Sequence, residues 1–166
     1  MNPSPPDPLT LETRITNLLD THDIPYRRLS HTEAVFTVEA AAKTRGVVME
    51  EMVKSILLRE KGGERYVMAC LPGDARLSPQ AVREYLPGDW RRLTFSSSEE
   101  ILTVTGCVQG AVAPLCLPDS LPIVFDETLL QYDKVSISSG DPWLGLELHP
   151  KDLFRLANAV AGKISE

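Results

Sequence analysis

The chain predicts an α+β domain built on a mixed, mostly antiparallel sheet. Helical periodicity opens it, a strand–loop–strand run follows at Val53–Leu71, and mixed segments then lead to a second hairpin and a closing helix. That order lacks the regular alternation of a doubly wound fold. No internal repeat, Walker loop or dinucleotide fingerprint interrupts it.

Leu11, Ile15, Leu18 and Leu19 recur at helical spacing, with Thr10 as the cap, so an amphipathic helix is predicted to end near His22. Pro25 to Leu29 reads as a short extended segment, and Ser30-His31-Thr32 as a connection. Thr37 caps a second helix over Val38–Arg45, which Gly46 closes. Met49 to Met52 is a short turn or helical piece. Val53–Arg59 is a strand, Lys61-Gly62-Gly63-Glu64 a hairpin loop, and Tyr66–Leu71 the returning strand. Ser78 with Pro79 opens a helix to Leu86, which Pro87-Gly88 stops. Arg91–Phe95 is a strand. Ser97 and Glu100 make a capping box for a helix through Thr105, and Gly106 ends it. Strands at Leu121–Phe125, Lys134–Ser138 and Leu144–Leu148 follow. Pro150 opens the last helix, with Leu153, Leu156, Ala157 and Val160 on one face.

Composition bounds the function. At 166 residues, 43% hydrophobic and 24% charged, the chain is sized for one domain with a real core. Residues 1–8 carry four prolines and read as a disordered tail, leaving residues 9–166 as the domain. No apolar run approaches the length of a membrane span, and the N-terminus lacks the pattern of a signal peptide, so a cytoplasmic location is expected. A net charge of −6 argues against broad nucleic-acid binding, though Arg27-Arg28, Lys43/Arg45 and Arg91-Arg92 are local basic pairs. No basic helix-turn-helix signature supports DNA binding. Cys70, Cys107 and Cys116 form no C-x-x-C pair, and histidines are few, which argues against a zinc site or a disulfide framework.

Two stretches carry candidate chemistry. Gly106 to Pro114 holds two glycines and a terminal proline but no strong acid or base. It is either a tight turn or a loop whose backbone N–H groups face a carbonyl oxygen gaining charge. Cys107 lies within it, but no histidine stands at a telling local spacing, so a packing role is favoured over a nucleophilic thiol. Lys54 opens an apolar strand and shares a face with Ile56 and Leu58. It either snorkels out at the sheet edge or points into a cleft to meet an anion or a polarised carbonyl.

The ordered set of His31-Thr32, Thr37-Val38-Glu39-Ala40-Ala41, Val53-Lys54-Ser55-Ile56-Leu57 and Leu71-Pro72-Gly73-Asp74 resembles the YbaK family of aminoacyl-tRNA editing domains. Thr105-Gly106, the G-x-x-x-P loop Gly110-Ala111-Val112-Ala113-Pro114, Asp126, Ser139-Gly140 and Pro150-x-Asp152-Leu153 complete the likeness over nearly the whole chain after the tail. Lys-Ser-Ile stands where many relatives read Lys-Thr-Leu, which keeps the hydroxyl at Ser55.

The resemblance implies a barrel-like sheet flanked by helices and an enzyme that needs no cofactor or metal. Its reaction would be hydrolysis of the ester joining a wrong amino acid to the 3′ end of a tRNA. Lys54 matches the family's key lysine beside that ester, and Gly110 and its loop line the same pocket. Ser55, Ala111, Val112, Ala113, Pro114, Ser139 and Gly140 become candidate substrate contacts. His31 and Asp126 join them, each with a structural alternative as a tie or a helix cap. The expected partner is the aminoacyl-tRNA 3′ end, with no DNA and no membrane. The expected form is free-standing, and the expected substrate a small residue on tRNA for proline: alanine first, then cysteine or serine. No Ser-His-Asp or Cys-His arrangement is found, so water is the expected nucleophile. The competing reading is a non-catalytic module that holds an aminoacyl or nucleotide end, or docks onto an aminoacyl-tRNA synthetase.

Overall fold

Helix α1 spans Arg14–Thr21 and starts three residues later than its apolar periodicity suggests. Thr13 and Thr16 decide the start. Each side chain accepts from the other's backbone N–H, a reciprocal cap that Thr10 cannot match. The computed structural model describes Asp7, residues 10–31 and residues 33–166; Asp7 apart, the tail read over residues 1–8 lies outside them.

Strand β1 (Tyr26–Ser30) leads to α2 (Val38–Arg45), which forms as predicted between the Thr37 cap and a left-handed Gly46. A 3-10 turn at Met49–Glu51 delivers the chain into β2 (Val53–Glu60), and β3 (Tyr66–Pro72) returns antiparallel to it. Helix α3 is a short piece, Pro79–Arg83, and β4 covers only Leu93–Phe95. The predicted capping box of α4 (Ser98–Thr105) is present in full. After the glycine loop come β5 (Ile123–Asp126), a 3-10 turn at Glu127–Gln131, β6 (Val135–Ser138) and β7 (Leu144–Leu148). Helix α5 covers Pro150–Ala157.

Val160 was expected on the face of α5 but belongs to a further strand, β8 (Val160–Gly162). Asn158 adopts the left-handed conformation, φ 52°, and turns the chain out of the helix. Three-residue β8 is legible only through its parallel partner β5.

The described strands form two sheets. One is antiparallel, in the order β1-β7-β6; the other is mixed, in the order β4-β2-β3-β5-β8. A parallel bridge between Met52 and Ser136 joins them. Antiparallel pairing dominates, with parallel pairs only at β3–β5 and β5–β8, and the sheets do not close into a barrel.

The mixed sheet is covered on both faces. Leu57, Met68, Cys70 and Phe125 pack with α1, α5 and the inner face of the small sheet. Leu58, Val67, Ala69 and Val124 pack under Val82, Leu86 and Trp90. That double burial explains why β2 and β3 carry leucine on both faces. A smaller cluster of Val35, Ala41, Ala42 and Met52 seats α2 at the junction of the sheets.

Candidate active site

A cavity of about 230 Å³ opens at that junction. Its walls come from α2 and the segment before it, the start of β2, the glycine loop and the end of β6. Val38, Ala41 and Arg45, at i, i+3 and i+7, give it one face of α2. Lys54 and Ser55 enter from β2, Gly110 and Val112 from the loop, and Ser138 from β6. The two stretches singled out from sequence thus meet in one hollow.

Gly110 has to be glycine. Its φ is +90°, and a Cβ there would overlap the carbonyl group of Phe36. The close approach lets the loop backbone lie against the segment before α2. The Ala111 N–H is spent inside the loop on the Val108 carbonyl, 3.0 Å. The Ala111 carbonyl accepts from Ser138 Oγ, 3.0 Å, and Ser138 Oγ in turn accepts from the Gly140 N–H, 3.1 Å. The amides of Gly110 and Val112 have no hydrogen-bond acceptor among the described residues.

Lys54 is half-buried, and its Nζ donates to the Ala75 carbonyl in the turn after β3, 2.5 Å. Burial lowers its pKa, while Glu39 and Asp74 act in the opposite sense. Neither carboxylate lies within ion-pair distance of it. The ammonium therefore keeps donor capacity beyond its one carbonyl.

Other expected contacts lie behind the wall. Ala111, Ala113 and Pro114 are buried, and Pro114 faces a different hollow beside Leu18 and Leu156. Ser139 is fully buried and braces the β6–β7 turn, donating to the Leu144 carbonyl at 2.6 Å and accepting from the Asp141 N–H. Gly140 is the left-handed residue of that turn and packs near Cys107. The lining residue of this segment is Ser138, one place earlier, because alternation along β6 turns Ser136 and Ser138 to the same face.

Asp126 is not at the cavity. Its carboxylate accepts from the N–H groups of Thr128, Ile164 and Ser165, and so holds the C-terminal segment to the end of β5. Burial disfavours its charge, but these hydrogen bonds hold the carboxyl below the ordinary aspartate value. His31 is buried, and both ring nitrogens are engaged. Nδ1 lies 2.6 Å from the Pro142 carbonyl, and Nε2 accepts from Arg45 Nε at 2.9 Å. A carbonyl can only accept, so the Nδ1-protonated neutral tautomer is required. Burial lowers the His31 pKa, and the Arg45 charge lowers it further.

Arg45 is the lining residue that sequence reading passed over, since Lys43/Arg45 stood out only as one of three local basic pairs. The predicted helix already held the signal: Arg45 lies seven residues after Val38, on the same face as Ala41. Its Nη1 donates to Ser136 Oγ at 2.8 Å, and burial lowers its pKa to about 10. Cys107 is absent from the cavity wall, and burial raises the Cys70 thiol to about 12, well out of range for a thiolate.

Residues 32–156 match the family model of the aminoacyl-tRNA editing domain. The multifunctional Ser/Thr-tRNA deacylase ProXp-y of Escherichia coli K12 is 27% identical over 147 residues, covering 87% of this chain and 86% of that protein. The proline–tRNA ligase of Kosmotoga olearia is 35% identical over 101 residues, 61% of this chain but only 17% of the ligase. Among solved structures, the hypothetical protein APE2540 superposes with a TM-score of 0.83 at 27% identity, over 93% of this chain and all of that one. A proposed trans-editing enzyme for prolyl-tRNA synthetase superposes with a TM-score of 0.76 at 25% identity, over 92% and 95%. No helix among the described residues is long and apolar enough to cross a membrane.

Proposed function

The chain belongs to the aminoacyl-tRNA editing domain family, and from that premise we propose that it is a free-standing deacylase acting in trans on mischarged tRNA. Residues 9–166 act as one editing domain in the cytoplasm, and the substrate ester carries a small amino acid on tRNA for proline or a related tRNA. Alanine, cysteine and serine form the candidate set. The small cavity supports that size limit, and the name of the Escherichia coli relative supports serine within the set. An editing pocket of this kind works as a second sieve, admitting what a synthetase cannot reject.

The observation that carries the reading is the meeting of Lys54 with Gly110 and Val112 in one cavity. In the proposed reaction, water attacks the ester carbonyl carbon. The bond to the ribose 3′ oxygen breaks, and a proton from the water ends on that oxygen. The amides of Gly110 and Val112 belong to cavity-lining residues and have no acceptor among the described residues, which suits them to the oxygen gaining negative charge. Lys54 holds the ribose-phosphate end or polarises the carbonyl. His31 is not available as a base, because both of its nitrogens are committed. An aminoacyl ester is already activated, so positioning and charge stabilisation suffice for water to act.

The test is release of labelled amino acid from misacylated tRNA by the purified chain. Lys54→Ala is expected to lower kcat/KM by about a hundredfold or more, the scale of one lost electrostatic stabiliser. Its thermal transition is expected to stay close to wild type. Wild-type rates in that variant would refute the assignment, and saturable binding without turnover by the wild type would favour the binding-module reading.

A further inference from the structure

We propose that Arg45 is a specificity-determining residue that reads an oxygen on the substrate's side chain and favours serine over alanine. This rests on the deacylase reading above and sharpens it.

The chain commits several residues to placing one guanidinium. Nε is held by the neutral His31 ring and Nη1 by Ser136 Oγ, with Met52 Sδ at 4.0 Å from Nη1. Gly145 of β7 lies flat against the group; a Cβ there would overlap the guanidinium nitrogen and carbon. No carboxylate among the described residues pairs with Arg45. Nη2 has no protein partner among them either, and it is not sealed off from solvent. A cavity-lining guanidinium, held in place through Nε and Nη1, therefore keeps one solvent-reachable donor with no acceptor among the described residues.

Position decides what it meets. Helix α2 lines the cavity along its length, about 10 Å from Val38 to Arg45 at 1.5 Å per residue. Gly73 lies against Val38, in the first turn, and Lys54 Nζ donates to the Ala75 carbonyl two residues further on. Lys54 thus belongs to the end of the cavity near the start of α2, and Arg45 to the end near its C-terminus. With the ester anchored beside Lys54 and Gly110, the acyl side chain extends toward Arg45.

An acceptor oxygen there satisfies Nη2. A methyl group strips its water and returns nothing, which leaves a charged donor buried and unpaired. A site built around a hydrogen bond discriminates sharply against the analogue that lacks the partner. A purely structural role, tying α2 to β1, β6 and β7, would leave that choice untouched.

The experiment uses the purified full chain and one tRNA for proline carrying either serine or alanine. Wild type is expected to have the higher kcat/KM on the seryl ester. Arg45→Met is expected to lower the seryl-over-alanyl ratio by about tenfold or more, whatever happens to either rate alone. Arg45→Lys keeps the charge without the rigid fork, and Gly145→Ala displaces the guanidinium while retaining it; both are expected to move the ratio the same way. They carry the test if Arg45→Met does not fold. Equal losses on both esters would overturn the inference, as would a wild type at least as fast on alanine, with the deacylase reading intact in either case. Turnover of neither ester would overturn both.

Discussion

His31 and Arg45 share one hydrogen bond whose direction is dictated: Arg45 Nε donates, and His31 Nε2 accepts at 2.9 Å because Nδ1 already faces the Pro142 carbonyl. Protonating Nε2 would set two donors and two positive charges against each other. The His31 pKa is accordingly lowered, by burial first and by Arg45 as well, against the raising influence of the Pro142 hydrogen bond and Asp141.

A pH dependence follows. The folded state holds His31 neutral more firmly than the unfolded chain does, so below the ordinary value near 6.5 the unfolded chain binds more protons. Its contribution to stability is fully present above that pH and is lost as pH falls through the lower, folded value. Denaturant midpoints across pH 7.5 to 5 should fall for wild type and fall less steeply for His31→Gln. Parallel curves would contradict the tautomer assignment.

Gly110→Ala combines a φ of +90° with overlap on the Phe36 carbonyl group. The cost is expected to exceed about 1 kcal/mol, more than the entropy gained by losing a glycine. The loop should move away from Phe36, so deacylation is expected to fall further than stability. Thermal melting beside single-turnover rates separates the two effects.

Asp126→Ala leaves three backbone donors, on Thr128, Ile164 and Ser165, without their acceptor. A loss on the order of 2 kcal/mol or more is expected. The kcat/KM of the folded enzyme should stay near wild type, because the carboxylate is away from the cavity. A variant of normal stability with a large loss of activity would return Asp126 to the site.

Some elements could be read directly because their signals are local. Thr37 and Gly46 bracket α2, and Ser97 with Glu100 starts α4, since a cap needs only residues three or four apart. Lys54 and the glycine loop stood out by chemistry alone. Arg45 did not, because a lysine–arginine pair at a helix end looks the same whether it meets water or a cavity. Asp126 and Ser139 are ambiguous for the converse reason: each is a polar residue at the end of a strand, yet Asp126 caps the following turn and holds the C-terminal segment, and Ser139 braces its own turn.

Local hydrophobic period and capping chemistry, properties of neighbouring residues, were enough for the α+β class, most of the helices and strands, and the two stretches worth watching. Pairing across distance was not local. β8 exists because β5 offers it a parallel edge, and Arg45 is held at the cavity because His31 just after β1, Ser136 of β6 and Gly145 of β7 converge on it. Burial and hydrogen-bond partnership depend on what the folded chain places opposite a residue, and that is settled only when β1, β6 and β7 come together against α2.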